Sequence, residues 1–455
     1  MKTFSEYKNT LKSSSIKESV GTQYTLFPKN KTELLKMIKE EIKIQGNEAD
    51  LNHIDVSNIT NFSSLFSGFK SFNGDVSGWD VSHAKNMSHM FACCTDFNQD
   101  LSAWDVSNVT DMSGMFWMAS NFNGDIGAWD VRNVTNMHGM FSDCVSFNGN
   151  LRRWNLKNIT DMTNLFAGCK SFNSDISSWD VSNVTDMTGM FQHCESFNQD
   201  LSRWDVSNVT GMSAMFYGCE SFNGDISTWN VSKVTNMDAM FFRCHSFNSD
   251  LSRWNVSNVV TMENMFFGCH SFNSDLSRWN VSKVTNMEYM FWHAESFNSD
   301  LSKWNVSKVP SMEFMFFMCK SFDSDLSEWN VSKVTNMGCM LQGCRSFNSD
   351  LSRWDVSKVK DMNRMFSGCE SFNQDISTWD VSRVRDMEGM FYESTLFNQD
   401  ISAWDVSRVK NMYRMFAGAK SFNQDLSGWN VSRVRDMEGI FDGCPCPEEY
   451  QPKFK

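Results

Sequence analysis

The sequence is short of the features that give a chain chemistry of its own. No apolar run approaches the roughly 20 residues of a membrane-spanning helix. The start, MKTFSEYKNTLKSSSIKE, holds lysines but no apolar core segment and no lipobox cysteine, so no Sec-type signal or anchor is visible and the cytoplasm is the default expectation. No nucleophile–base arrangement, phosphate loop or zinc spacing occurs, and no long loop breaks the chain to wall a pocket. An enzyme is therefore not expected, and neither is a cofactor. Positive charge is in deficit: 41 Lys and Arg stand against 54 Asp and Glu, a formal net charge of −13. That argues against bulk nucleic-acid binding while leaving room for a local basic patch.

What the chain has instead is a period. Tryptophan recurs every 25th residue from Trp79 to Trp429 without a slip, and only Trp117 and Trp292 lie outside that column. One further unit opens the series with Ile54 in the tryptophan slot, giving about 16 units with no insertion or deletion. The consensus is F-N-x-D-[LI]-S-x-W-[DN]-V-S-[NK]-V-T-[DN]-M-x-x-M-F-x-x-C-x-S. A strict internal period overrides the length-based expectation of several domains, because such units stack into one elongated body.

Each unit reads in three pieces. FNxDLSxWDV is rich in β-formers and is expected to be a strand, and SNVT to be a second short extended piece. MxxMFxxC places apolar residues at i, i+3, i+4 and i+7, the spacing of a short α or 3-10 helix. The position before it runs from Asn61 through Gly211 and Thr261 to Asp436 and holds only Asn, Asp, Ser, Thr or Gly, the residues favoured as N-caps. The expected fold class is an α+β repeat solenoid, roughly 80 Å long at strand spacing. Residues 1–50 form an N-terminal segment with a capping helix over TELLKMIKEEIKIQ: Thr32 caps it, Leu34, Ile38 and Ile42 line one face, and Gly46 ends it. Residues 51–444 are the solenoid. Pro445 and Pro447 stop the pattern, and residues 445–455 are a tail that covers or trails from the last unit.

The unit MF-x-x-C-x-x-F-N-x-D-[LI]-S-x-W-[DN]-V-S-x-V-T-[DN]-M resembles the 25-residue branch of the BspA-like leucine-rich-repeat family over about residues 51–444. The opening FPKNKTELLKMIKEEI resembles the cap that precedes such arrays. The resemblance implies a right-handed, leucine-rich-repeat-like solenoid, and a bacterial surface protein with an adhesion or host-interaction role.

Several columns invite a chemical reading. Eleven of the 14 cysteines share one column, but Phe69, Ala119, Ala294, Ser394 and Ala419 also occupy it, so a small buried slot fits better than a disulfide ladder. Cys444 and Cys446 form only a bare C-P-C. An aspartate row from Asp75 to Asp425, broken by Asn150, needs something to offset like charges at unit spacing. Backbone N–H groups in Asx-turns would do so. A file of Ca²⁺ ions is the alternative, though the glycine-rich signature of calcium-binding repeats is missing. His245 and His270 stand in one column on adjacent units without evident further ligands.

The freely varying positions carry the functional expectation. Just after MF, five successive units place Tyr217, Phe242, Phe267, Trp292 and Phe317, flanked by Gln192 and Gln342. Tyr289 and Phe314 stand three residues before the last two. Such an apolar stripe on the outside marks a surface for a protein or glycan partner, or for self-association, unless it packs on its own neighbours. Toward the C-terminus SNVT becomes SKVK, SRVR, SRVK and SRVR, and Lys358, Lys360, Arg383, Arg385, Arg408, Lys410, Arg433 and Arg435 form a two-wide basic strip. A polyanion is its expected ligand; the plainer reading is a solvated face balanced by Asp361, Asp386 and Asp436. The sequence thus points to a non-enzymatic binding scaffold, with a calcium-loaded structural solenoid as the alternative.

Overall fold

A computed structural model describes residues 24–454. The leader reading of Met1–Glu18 therefore lies outside the described residues. Among them the chain is a repeat solenoid built almost wholly from turns. Its regular elements are one helix, α1 (Lys31–Gln45), and a 3-10 turn at Glu448–Tyr450.

The expected strands and repeated helices are absent from the described units. The unit Phe222–Ser246 shows why. Its backbone closes on itself in steps of three: Trp229 N–H donates to Ile226 O, Val234 to Val231, Met240 to Met237, Phe242 to Ala239, and Cys244 to Phe241, at 2.9–3.3 Å. Between these closures, Met237, Ala239, Phe241 and Arg243 donate instead to Thr261, Glu263, Met265 and Phe267 of the next unit. Alternate N–H groups thus serve the turn and the neighbouring rung, which a helix cannot do. The route needs a left-handed residue at the third position of two turns, here Ala239 (φ 53°) and Arg243 (φ 56°). Every unit repeats both, from Ser64 and Gly68 to Gly439 and Gly443. Two such residues in one octet exclude the helix that the M-x-x-M-F spacing resembles.

The column of N-cap residue types has another role. Each of its residues that pairs does so as an isolated parallel bridge, such as Asn236 with Thr261 and Asp361 with Asp386. Where the residue is Asn or Asp, from Asn61 to Asn411, its side-chain oxygen accepts the N–H two residues on, as Asn236 does from Asp238 at 2.8 Å. The same Asx-turn recurs at the aspartate row, where Asp250 Oδ1 accepts from Ser252 N–H at 2.9 Å, and after tryptophan, where Asp205 accepts from Ser207. The residue set was right for capping chemistry; the structure capped is a chain of turns.

Stacking buries what one unit cannot. The Phe, Leu or Ile, Trp, Val and Met columns are all but sealed from solvent. Each buried indole finds a partner: Trp254 Nε1–H donates to Ile226 O at 3.1 Å, one rung back. The thiols do likewise, Cys269 Sγ donating to Phe241 O at 2.9 Å, and Ser394 Oγ substitutes by donating to Phe366 O. All 14 cysteines are free. An asparagine ladder ties the rim, Asn298 N–H donating to Asn273 Oδ1 at 2.8 Å.

The two ends are covered unequally. Helix α1 packs Leu34 and Ile38 into the core, with Ile42 partly buried beside them. Its cap is Asn30, not Thr32: Asn30 Oδ1 accepts from Glu33 N–H, and Gly46, at φ 87°, ends the helix. Leu26 adds a parallel bridge to Ile54. At the far end the tail covers part of the last unit, with Leu426 N–H donating to Tyr450 O and Cys446 buried, and leaves Met437 38% exposed.

Candidate functional site

Equivalent rings in successive units are related by one rotation and translation, so their spacing reports curvature. Trp279 and Trp304 stand 6.4 Å apart, Phe266 and Phe291 5.6 Å, and Phe242 and Phe267 4.4 Å. Spacing shrinks from the tryptophan side toward the stripe, which places the stripe on the concave side. The sequence left that choice open.

Along this side the five rings form one continuous stack: Tyr217–Phe242 at 4.3 Å, Phe242–Phe267 at 4.4 Å, Phe267–Trp292 at 3.9 Å and Trp292–Phe317 at 5.3 Å. Interplanar angles stay between 2° and 21°. Each ring covers the next, so all five are half-buried rather than fully exposed. Tyr289 and Phe314 stack 5.0 Å apart as a second short row, and Phe314 meets Phe317 at 5.5 Å. They share the face through turn geometry, not a helix. Both occupy the left-handed position, Tyr289 at φ 59° and Phe314 at φ 54°, where bulky residues are outliers.

The sequence reading missed neighbours in this column. Trp117, 40% exposed, and Tyr392 occupy the same turn position. Counting every unit, not only the longest run, would have found them. It also missed Arg243, whose guanidinium lies 5.4 Å from the Phe242 ring.

The basic strip is laid out as two exposed columns separated by valines that face inward, such as Val359, Val384 and Val409. None of its eight cations makes an ion pair among the described residues; Lys358 Nζ donates to Ser332 O at 2.9 Å. Asp361, Asp386 and Asp436, the expected counter-charges, do not pair with them. The aspartate row is engaged by its own turns, and backbone and side-chain hydrogen bonds from Ser252 hold Asp250 below the usual carboxylate range. Among the described residues no three His, Cys, Asp or Glu side chains converge as metal ligands. The His245 and His270 rings stack 5.0 Å apart, and burial lowers the pKa of His245. Burial pushes the column thiols up, Cys94 to about 12. No helix among the described residues is long and apolar enough to cross a membrane.

The family described as "Mycoplasma protein of unknown function, DUF285" matches residues 32–154, 139–254, 224–322, 298–387 and 375–446. No curated protein matches the chain. Among solved structures, a leucine-rich repeat protein from Bacteroides ovatus is similar at 12% identity and a TM-score of 0.27, over 86% of this chain and 76% of that one. A leucine-rich-repeat protein of Leptospira interrogans is similar at 8% identity and a TM-score of 0.23, over 89% and 95%. A plant peptide hormone receptor, solved in complex with RGF2, is similar at 9% identity and a TM-score of 0.22, over 81% and 78%.

Proposed function

We propose, from the premise that this chain belongs to the DUF285 family, that it is a non-enzymatic scaffold holding a protein or glycan on its concave side. The observation that carries this reading is the uninterrupted stack from Tyr217 to Phe317. Five half-buried rings lie on the outside of a body whose core is already closed, and the fold does not require them. Gln192 and Gln342 fill the same slot without any change in the turn. An aromatic row that stability does not explain is what binding surfaces use. The BspA-like repeat pattern extends the reading to a surface or adhesion role. The basic strip is a second contact, for a polyanion.

The test follows from the glutamines. Phe242→Gln, Phe267→Gln and Trp292→Gln together should leave the circular dichroism spectrum unchanged. Wild type and variant serve as baits in lysate and surface extract, followed by mass spectrometry. A partner retained by wild type and lost by the variant supports the stripe. An identical catch with both baits returns the stripe to architecture.

A further inference from the structure

The surroundings of the stripe narrow its occupant, an inference that rests on the stripe being the binding site. Four successive units carry an acid four residues before a stripe ring: Asp238, Glu263, Glu288 and Glu313. The units before them hold Ser, Thr or His at that position. All four acids are half-buried on the concave side. Glu288 and Glu313 directly precede Tyr289 and Phe314 in the chain, and burial followed by the charges of Glu313 and Glu288 pushes the Tyr289 hydroxyl up.

Nothing in the described chain neutralises them. Three of the carboxylates receive hydrogen bonds from neutral groups: Asn286 to Glu263 at 2.9 Å, Asn336 to Glu313 at 3.1 Å, and Glu263 N–H to Asp238 at 2.9 Å. None makes an ion pair among the described residues, whereas Glu388, at the same turn position further on, is paired with Arg364 at 2.7 Å. Like charges at rung spacing repel, more so when part-buried. Burial and the adjoining Glu288 accordingly raise the Glu313 pKa. The row is a local excess of negative charge beside a row of stacked ring edges.

We infer that this side takes an arginine-bearing segment of a protein partner, its guanidinium groups pairing with the carboxylates while its methylene stems pack across the ring edges. Arginine is the side chain that does both at once, carrying on a long apolar stem a permanently charged fork that bridges a carboxylate through two N–H groups. Arg243, its guanidinium 5.4 Å from the Phe242 ring centroid, already sets such a side chain against the row. A neutral glycan would cover the rings but leave four acids unpaired, and an anionic one would be repelled.

The probe is a fluorescent (Arg-Gly)5 peptide, read by anisotropy, with (Lys-Gly)5 and (Asn-Gly)5 beside it. One variant removes the acids: Asp238→Asn, Glu263→Gln, Glu288→Gln and Glu313→Gln. A second removes rings, as Phe242→Gln, Phe267→Gln and Trp292→Gln. A third removes equal charge elsewhere, as Asp200→Asn, Asp250→Asn, Asp300→Asn and Asp350→Asn, a change the fold accepts at Asn150. The expected result is binding of (Arg-Gly)5 by wild type, weakened about tenfold or more in the first variant and by less than about twofold in the third. The second variant should lose affinity while keeping its preference for Arg over Lys, which bidentate pairing with the carboxylates sets. No binding by wild type, or equal losses in the first and third variants, would overturn the inference. Loss in the ring variant with none in the acid variant overturns it too, but leaves the stripe reading standing. Loss in the acid variant alone sinks the stripe reading, and the packing of arginine stems on the rings proposed here with it.

Discussion

The rungs around Tyr217–Phe317 and those around Lys358–Arg435 are the same object inside and different objects outside. Trp254 and Trp379 are 3% and 4% exposed, and both donate to the carbonyl one rung back, at 3.1 and 3.0 Å. Outside, the middle rungs present rings and uncompensated acids on the concave side. The later rungs hold Arg364 and Arg414 in the turn positions where the middle has Tyr289 and Phe314, and add the exposed basic strip. The turn route is fixed by inter-rung hydrogen bonds and the buried columns, so outward residues vary without disturbing either. Chemistry can therefore differ along the array while stability does not.

The strongest challenge to that comparison is in the core. Trp254→Ala and Trp379→Ala should each cost about 3–5 kcal/mol, equally in the two regions, by urea unfolding followed by circular dichroism. Unequal losses would mean that the regions differ inside as well. Next comes the strip. Converting SRVR and SRVK to the early SNVT, as Arg383→Asn, Arg385→Thr, Arg408→Asn and Lys410→Thr, should weaken binding to heparin. The salt dependence should fall as well, by roughly one log–log unit for each cation that had neutralised a sulfate. Binding to the Arg-Gly peptide should not change. Asn273→Ala removes a rim acceptor and should cost about 0.5–1.5 kcal/mol, whereas Asn273→Asp should be near neutral, because Asp323 makes the same bond to Asn348 N–H at 2.8 Å.

The smallest effect is electrostatic. Glu313 has a raised pKa, so its ionised form disfavours the fold at neutral pH, and that penalty is relieved as pH falls through the folded value. Glu313→Gln should raise Tm at pH 7 by on the order of 1 °C and match wild type by about pH 4, where the carboxyl is neutral. Asp250 runs the other way: its pKa is depressed, so its stabilisation is present at neutral pH and lost only as pH falls below the usual aspartate range. A variant whose advantage persisted in acid would place the effect in packing instead of charge.

The period, the buried columns and the solenoid were legible because burial repeats with the sequence. The helix was not, for a physical reason: successive three-residue turn closures put side chains on one face at the same i, i+3, i+4 spacing. What separates the two is the left-handed backbone at positions such as Tyr289 and Met318, whose side chains argue against it. Bonds to the next rung impose it, and a single unit's sequence does not display them. The stripe was legible as a row. The acid row beside it was overlooked because its column reads as Ser, Thr or His in the earlier units and is mixed in the later ones, and four like substitutions in succession were the available signal.

The thiol column makes the array report on its own opening. Each column thiol from Cys94 to Cys369 donates its S–H to a carbonyl of the preceding rung, and burial keeps it from ionising, as at Cys194 and Cys244. Alkylation of such a thiol requires its rung to part from its neighbour. Mass spectrometry after a pulse of iodoacetamide would then count opened rungs along the chain. The order in which Cys94 through Cys369 become labelled tells whether the array frays from its ends or yields all at once.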